Sequence, residues 1–206
     1  MDAGKTRGRI PPHSIEAEQC TLGSMLLDEE AIAVVFGSIK ADGKGMDSLI
    51  IPAGGFRTPS TSETSKLKED NSGNIRFLNH MTMQGDKAFN FIQREVPPMI
   101  DNLLYKASIN KEDLDYFMFH QPNRFMLQQL AREMDIPETK LPNNVVENFG
   151  NAGSVTIPTA ITHNLGKKLL KNSYLVCMAG FGAGLSWSSI LMSLGKLNFC
   201  ESINYK

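Results

Sequence analysis

Apolar and polar positions recur with two periods along the 206 residues. Ile15, Leu22, Met25, Leu26 and Ile32 fall near helical spacing. With Ser14 as N-cap and Glu16 and Glu18 in the first turn, they predict an amphipathic helix over Ser14–Ile32, interrupted at Gly23. Ahead of it, Met1–Arg9 is polar and basic, and Pro11-Pro12 stops regular structure. Ala33–Phe36 is a short β-rich run, followed by the turn cluster Asp42–Gly45. Leu49–Pro52 reads as a strand end, and Ala53–Asn74, rich in Gly, Ser, Thr, Pro and charge, as a long surface loop. Asp86–Tyr105 carries Phe89, Ile92, Val96, Met99, Ile100, Leu103 and Leu104 at helical spacing, with a kink or restart expected at Pro97-Pro98. Asn110–Leu114 reads as another helix start.

The apolar run Tyr116–Phe119 predicts a buried strand ending in His120-Gln121-Pro122-Asn123. Arg124–Asp135 is a further amphipathic helix with Phe125, Leu127, Leu130 and Met134 inward, ended by Pro137. Val145-Val146 leads into Asn148–Ser154, a loop of small residues. A helix over Thr156–Leu165 follows, with Pro158 near its start, where proline is tolerated. Tyr174–Met178 and Leu185–Met192 read as a strand hairpin around a glycine turn, Gly180–Gly184. The residues after Gly195 read as a tail. Strands alternating with helices place the chain in the α/β class, as a layered domain.

Charge and cysteine content narrow the partners. There are 21 Lys+Arg against 22 Asp+Glu, a net charge of −1. That balance argues against a whole-surface nucleic-acid binder, since phosphate neutralisation needs an excess of cations. Three cysteines are too few and too odd for a disulfide framework, which points to a reducing, cytoplasmic compartment. No apolar run approaches the ~20 residues that span a bilayer, and no signal peptide precedes the first helix. The length allows one large domain or two small ones.

Candidate chemistry gathers at the strand ends, where loops converge in layered α/β folds. His120 lies just past a buried strand, and Asn151 lies among small residues that leave room for a substrate. An imidazole and a side-chain amide aimed at one carbonyl oxygen form an oxyanion hole. The glycines of Gly180–Gly184 let backbone amides approach a bound acyl group. No grouping of residues suggests a metal site or a bound cofactor.

Ordered segments then make the sequence recognisable. They are Ala41-Asp42-Gly43, Met81–Gly85 leading into the Lys87–Leu104 helix, and Leu114–Tyr116 to His120–Asn123. Phe149–Ser154 with Ile157-Pro158, and Gly180–Trp187, complete the set. Together they resemble the C-terminal half of ketoacyl-ACP synthase III, a thiolase-like condensing enzyme. The resemblance implies the C-terminal half of a thiolase-like layered fold, a mixed sheet with packed helices, over residues 33–195. It is preceded by a separate N-terminal helix in residues 1–32 and followed by a tail, 196–206.

The resemblance also implies roles. His120 and Asn151 hold the family's His and Asn positions, which donate to the malonyl thioester oxygen. Gly180, Phe181, Gly182, Ala183 and Gly184 match the turn lining the acyl site, and with Asn123, which ends the histidine motif, are implied to bind substrate. The family's Ala after Gln is Pro122 here. Its Arg, two places after the Asn and beside the carrier-protein approach, is replaced by Phe125, and Arg124, one place earlier, is the implied carrier-protein contact. The implied substrates are acyl-CoA and malonyl-ACP, and the implied partner is acyl carrier protein. No cofactor, membrane or nucleic acid is implied.

The family's nucleophilic cysteine belongs to an N-terminal half that has no counterpart here. Cys177 sits in a core strand and Cys200 in the tail. Cys20, in Glu18-Gln19-Cys20-Thr21, does not resemble the nucleophile motif. Condensation by this chain alone is therefore not expected, and a separate half is implied to cover its interface. The stretch Arg9–Asp28, extending to about Ile32, instead resembles the start of the bacterial replicative DNA helicase. No Gly-x-x-x-x-Gly-Lys-Ser/Thr pattern occurs to hold a triphosphate. Glu30–Gly37 reads either as the tail of that helicase segment or as the strand preceding the synthase half, and the chain as chimeric. The alternative function is a non-catalytic interaction module or a half-enzyme that pairs with a separate N-terminal half.

Overall fold

The long helix is built on one apolar stripe. In α1, Gly85–Ala107, residues Ala88, Phe91, Ile92, Val96, Met99, Ile100, Leu103 and Leu104 recur every three or four positions and are all buried. Pro97 and Pro98 lie inside this continuous helix, so the expected kink or restart does not occur. Each proline removes one intrahelical hydrogen bond, at a cost of about 3 kcal/mol. Burying Val96, Met99 and Ile100, each at 0 % exposure, offsets this at about 1.5–3 kcal/mol per side chain.

The computed structural model describes residues 35–70 and 73–203. The expected helix Ser14–Ile32 and Cys20 lie outside the described residues. Four strands, β1 Phe36–Ala41, β6 Tyr116–Phe119, β7 Ser173–Gly182 and β8 Ser186–Gly195, form a mixed sheet. Its order is β1-β8-β7-β6. β6 runs parallel to β7, while β7 pairs antiparallel with β8 and β8 antiparallel with β1. Two short pairs, β2 Leu49–Ile50 with β5 Thr82–Met83 and β3 Lys68–Glu69 with β4 Ile75–Arg76, lie around the expected surface loop, of which only β3 falls inside Ala53–Asn74. The remaining helices are α2 Arg124–Glu133, α3 Val145–Phe149 and α4 Thr156–Leu169.

Alternation along the strands divides the core between the two faces of the sheet. Phe117, Phe119, Cys177, Ala179, Phe181, Trp187 and Leu191 pack with α1 and α2 on one face. Met118 and Val176 pack with Ala160, Leu165 and Leu169 of α4 on the other. The layered α/β expectation is met, and several local expectations are corrected. Phe125 is 60 % exposed, because the helix phase turns Met126 inward beside Leu127 and Leu130. Asn110–Leu114 makes only a short 3-10 turn, Lys111–Asp113. The first strand starts at Phe36 and runs to Ala41, beyond its expected end. Gly180-Phe181-Gly182 belong to β7, since buried Phe181 keeps the alternation and pairs with Trp187. Only Ala183, Gly184 and Leu185 remain to make the turn.

Gly195 closes β8 at φ +156, and a Cβ there would lie 2.1 Å from Asn172 O and 2.4 Å from Ser173 Cα. Both are backbone atoms that cannot rotate away. Gly195→Ala is therefore expected to destabilise the domain by about 1–3 kcal/mol, read as a shifted urea midpoint. An unchanged midpoint would mean that the β8 end repacks freely.

Candidate active site at the ends of β6 and β7

β6 delivers His120 to the point where the parallel pair ends. Its backbone N–H still donates to Ala179 O at 2.8 Å, extending the ladder by one residue. The Phe181 ring stands edge-on to the imidazole, with centroids 5.5 Å apart and planes at 74°. Gly180 and Phe181 are thereby brought beside His120. Gln121, fully buried, ties down the following loop: its Nε2 donates to Phe119 O at 3.0 Å and Pro142 O at 2.9 Å. Burial holds the His120 pKa below its ordinary value of 6.5 and so favours the neutral ring, partly opposed by the Gly153 carbonyl.

Asn151 arrives on the loop between α3 and α4. Gly150 opens that loop at φ +68, a backbone region that favours glycine. Asn151 is exposed, and its Oδ1 accepts from Gly153 N–H at 3.1 Å. That fixes the amide and leaves Nδ2 without a protein acceptor among the described residues. The two candidate donors are joined through the backbone and a buried hydroxyl. Gly153 O lies 2.9 Å from Thr156 Oγ1, which lies 2.6 Å from His120 Nδ1. Thr156 and Gln121 carry no signal in the residue pattern, because each acts through a contact about 20–36 positions away in sequence.

The other expected site residues are placed differently. Asn123 Oδ1 caps α2 by accepting from Met126 N–H at 2.8 Å, an N-cap role. Arg124, exposed, pairs with Glu147 across the loop ends. Gly182 lies at the end of β7, with Ala183 and Gly184 in the turn beyond it. Cys177 faces Phe117 and Leu191 in register inside the sheet. Burial pushes its thiol up to about 12, and Cys200 is also pushed up. No group of His, Cys, Asp and Glu able to hold a metal ion is present among the described residues. None of the described helices is long and apolar enough to cross a membrane. An open depression of about 630 Å³ between α4 and the tail is lined by His163, Lys167 and Cys200 and shares no residue with the His120 site. The hydrogen-bonded geometry, not the size of that depression, marks the site.

Residues 104–194 match the family of 3-oxoacyl-[acyl-carrier-protein (ACP)] synthase III C-terminal domains, and residues 10–43 match DnaB-like helicase N-terminal domains. The two matched families are unrelated, and the chain is chimeric in that sense. The chain is 30 % identical over 171 residues to a beta-ketoacyl-[acyl-carrier-protein] synthase III of Porphyra umbilicalis, covering 82 % of this chain and 50 % of that protein. It is 34 % identical over 116 residues to the one from Limosilactobacillus reuteri, covering 56 % and 36 %. Among solved structures, it is similar to a 3-oxoacyl-(acyl-carrier protein) synthase from Burkholderia xenovorans, at 35 % identity and a TM-score of 0.72, covering 82 % of this chain and 46 % of that one. The chain spans half or less of the length of these relatives.

Proposed function

The chain carries the C-terminal domain of a 3-oxoacyl-ACP synthase III, and from this premise we propose that it supplies the enolate-stabilising half of a decarboxylative acyl transfer. In that reaction the bond from the malonyl Cα to its carboxylate breaks, releasing CO2. The bonding pair moves into the thioester as an enolate, whose carbon attacks an acyl group held on a cysteine; the new C–C bond forms as the acyl C–S bond breaks and the cysteine leaves as thiolate. His120 and Asn151 donate to the enolate oxygen, and Phe181 packs the imidazole in place. Malonyl-ACP and acyl-CoA are the substrates, and acyl carrier protein is the delivering partner. The observation that carries this reading is the hydrogen-bonded chain from Asn151 through Gly153 and Thr156 to His120. It ties two side chains from separate loops into one polar site.

The cysteine that holds the acyl group comes from a second half, in another chain or segment. Cys177, inside the sheet, is unsuited to that role. A nucleophile needs an accessible thiolate, and Cys177 is fully buried with a thiol near 12. Exposed apolar side chains such as Ile39, at 89 %, support a surface that such a half covers. In this reading residues 1–32, 33–195 and 196–206 are the helicase-like segment, the catalytic half and a tail. The protein acts in the cytoplasm, away from membrane and nucleic acid.

The test is to incubate the purified full chain with acetyl-CoA and malonyl-ACP and follow CO2 and 3-oxoacyl-ACP separately. CO2 release without 3-oxoacyl-ACP is expected. Condensation that disappears in Cys20→Ala would place the nucleophile in this chain and overturn the half-enzyme reading.

A further inference from the structure

We infer that Asn164 is a positioning residue that acts through Asn144 to hold the loop carrying Asn151. The inference rests on the proposed function, in which Asn151 donates to the enolate oxygen. Asn164 lies on α4, and Asn144 stands immediately before α3. Their half-buried side-chain amides face each other and exchange two hydrogen bonds. Asn144 Nδ2 donates to Asn164 Oδ1 at 3.0 Å, and Asn164 Nδ2 donates to Asn144 Oδ1 at 3.1 Å. The backbone decides which way round the amides stand. Asn164 Nδ2 also donates to Ala160 O at 2.9 Å. A carbonyl only accepts, so the amide nitrogen faces it, and Asn164 Oδ1 is left for Asn144. Both Nδ2 protons of Asn164 are thus spent.

Asparagine at this position ordinarily caps a helix, yet the Asn144 side chain makes no bond to the N–H groups of α3. It is given to α4 instead. At the last residue of α3, the Phe149 ring stands edge-on to His163 of α4, with centroids 5.4 Å apart and planes at 79°. α3 is thereby held to α4 just before its first residue and at its last. The segment Gly150–Val155 is what remains between that anchor and the start of α4, and Asn151 lies in it. So short a segment between two fixed ends samples few conformations. α4 is also the element that meets His120, through Thr156 Oγ1 at 2.6 Å from Nδ1. Both proposed donors are thus registered against one helix, and the Asn144–Asn164 pair is the part of that frame that serves Asn151.

The test is 15N relaxation of the Asn151 backbone N–H, sequentially assigned on the isotope-labelled full chain. An order parameter near the rigid-backbone value of about 0.85 is expected in the wild type, falling below about 0.6 in Asn144→Leu. That variant keeps the bulk and removes both reciprocal bonds. Asn144→Asp keeps the bond accepted from Asn164 and should fall between the two. For CO2 release from malonyl-ACP, Asn144→Leu should lower kcat about tenfold with KM unchanged, since a displaced donor costs orientation and not binding. Asn144→Asp should recover most of that loss. A merely structural pair would lower the urea midpoint and leave the Asn151 order parameter and the kcat of the folded variant unchanged; that result overturns the inference. If Asn144→Leu does not fold, the wild type decides. Its Asn144 and Asn164 side-chain amide protons should exchange slowly with water, and fast exchange, or a mobile Asn151, overturns the inference. Failure of the parent reading looks different: Asn151 loosens in Asn144→Leu, and the wild type releases no CO2.

Discussion

His120→Ala is expected to lower the rate of the proposed CO2 release from malonyl-ACP by about 10²–10³-fold, the usual cost of removing one donor from a preorganised oxyanion site. The size follows from how the ring is held. Its backbone is fixed to Ala179 O, its Nδ1 to Thr156 and its edge to Phe181, so little reorganisation accompanies charge development. Alanine leaves the strand ladder intact, because the fixed hydrogen bond there is main chain. The loss should therefore appear in kcat, with a separate destabilisation of about 1–3 kcal/mol, read in urea, from leaving the buried Thr156 hydroxyl without its ring partner. Asn151→Ala should show a loss of the same order, and the double variant less than the product of the two, since in the proposed reaction both donors serve one oxygen. A His120→Ala protein that releases CO2 at the wild-type rate would remove the imidazole from the chemistry altogether.

Phe117→Ala destabilises the domain by about 3–5 kcal/mol, the range for emptying a buried aromatic position. Phe117 is 1 % exposed on β6, the edge strand on which His120 depends. Its ring meets Phe119 edge-on at 5.9 Å and 87°, and it belongs to the cluster under α1 and α2. Collapse into the cavity is resisted because its backbone N–H is tied to Lys140 O at 2.7 Å. Equilibrium unfolding in urea measures the loss. Phe117→Leu should cost much less, because it keeps most of the volume. A loss below about 1 kcal/mol for alanine would mean that the α1 layer closes onto the sheet without this ring.

Part of this fold is legible in the residue pattern and part is hidden, for physical reasons. Buried strands and amphipathic helices announce themselves because one side chain in two, or one in three or four, must leave water. Tyr116–Phe119 and the stripe of α1 are readable on that ground. Phe125 is not: on a short helix a phase error of one residue exchanges the inward position with Met126, and only the neighbouring layer decides. The prolines of α1 mislead because a local penalty is visible in the chain while the compensating burial is not. At the site, His120 and Asn151 stand out as polar residues at strand and loop ends. Thr156, which joins them, looks like any helix-opening threonine until the fold brings its hydroxyl to the ring.

The pairing of β1 with β8 also bears on how the molecule assembles. Phe36 meets Leu191 and Ala41 meets Ser186, so this edge is closed by nearly the whole described chain, whereas β7 and β8 are joined by a three-residue turn. The entropy lost in closing a loop grows with the logarithm of its length, so β1 is the costliest strand of the sheet to dock and the hairpin the cheapest. β1 also lies within residues 10–43, the stretch matched by the helicase family. The strand whose docking asks most of the folding chain is thus one that falls inside the helicase match.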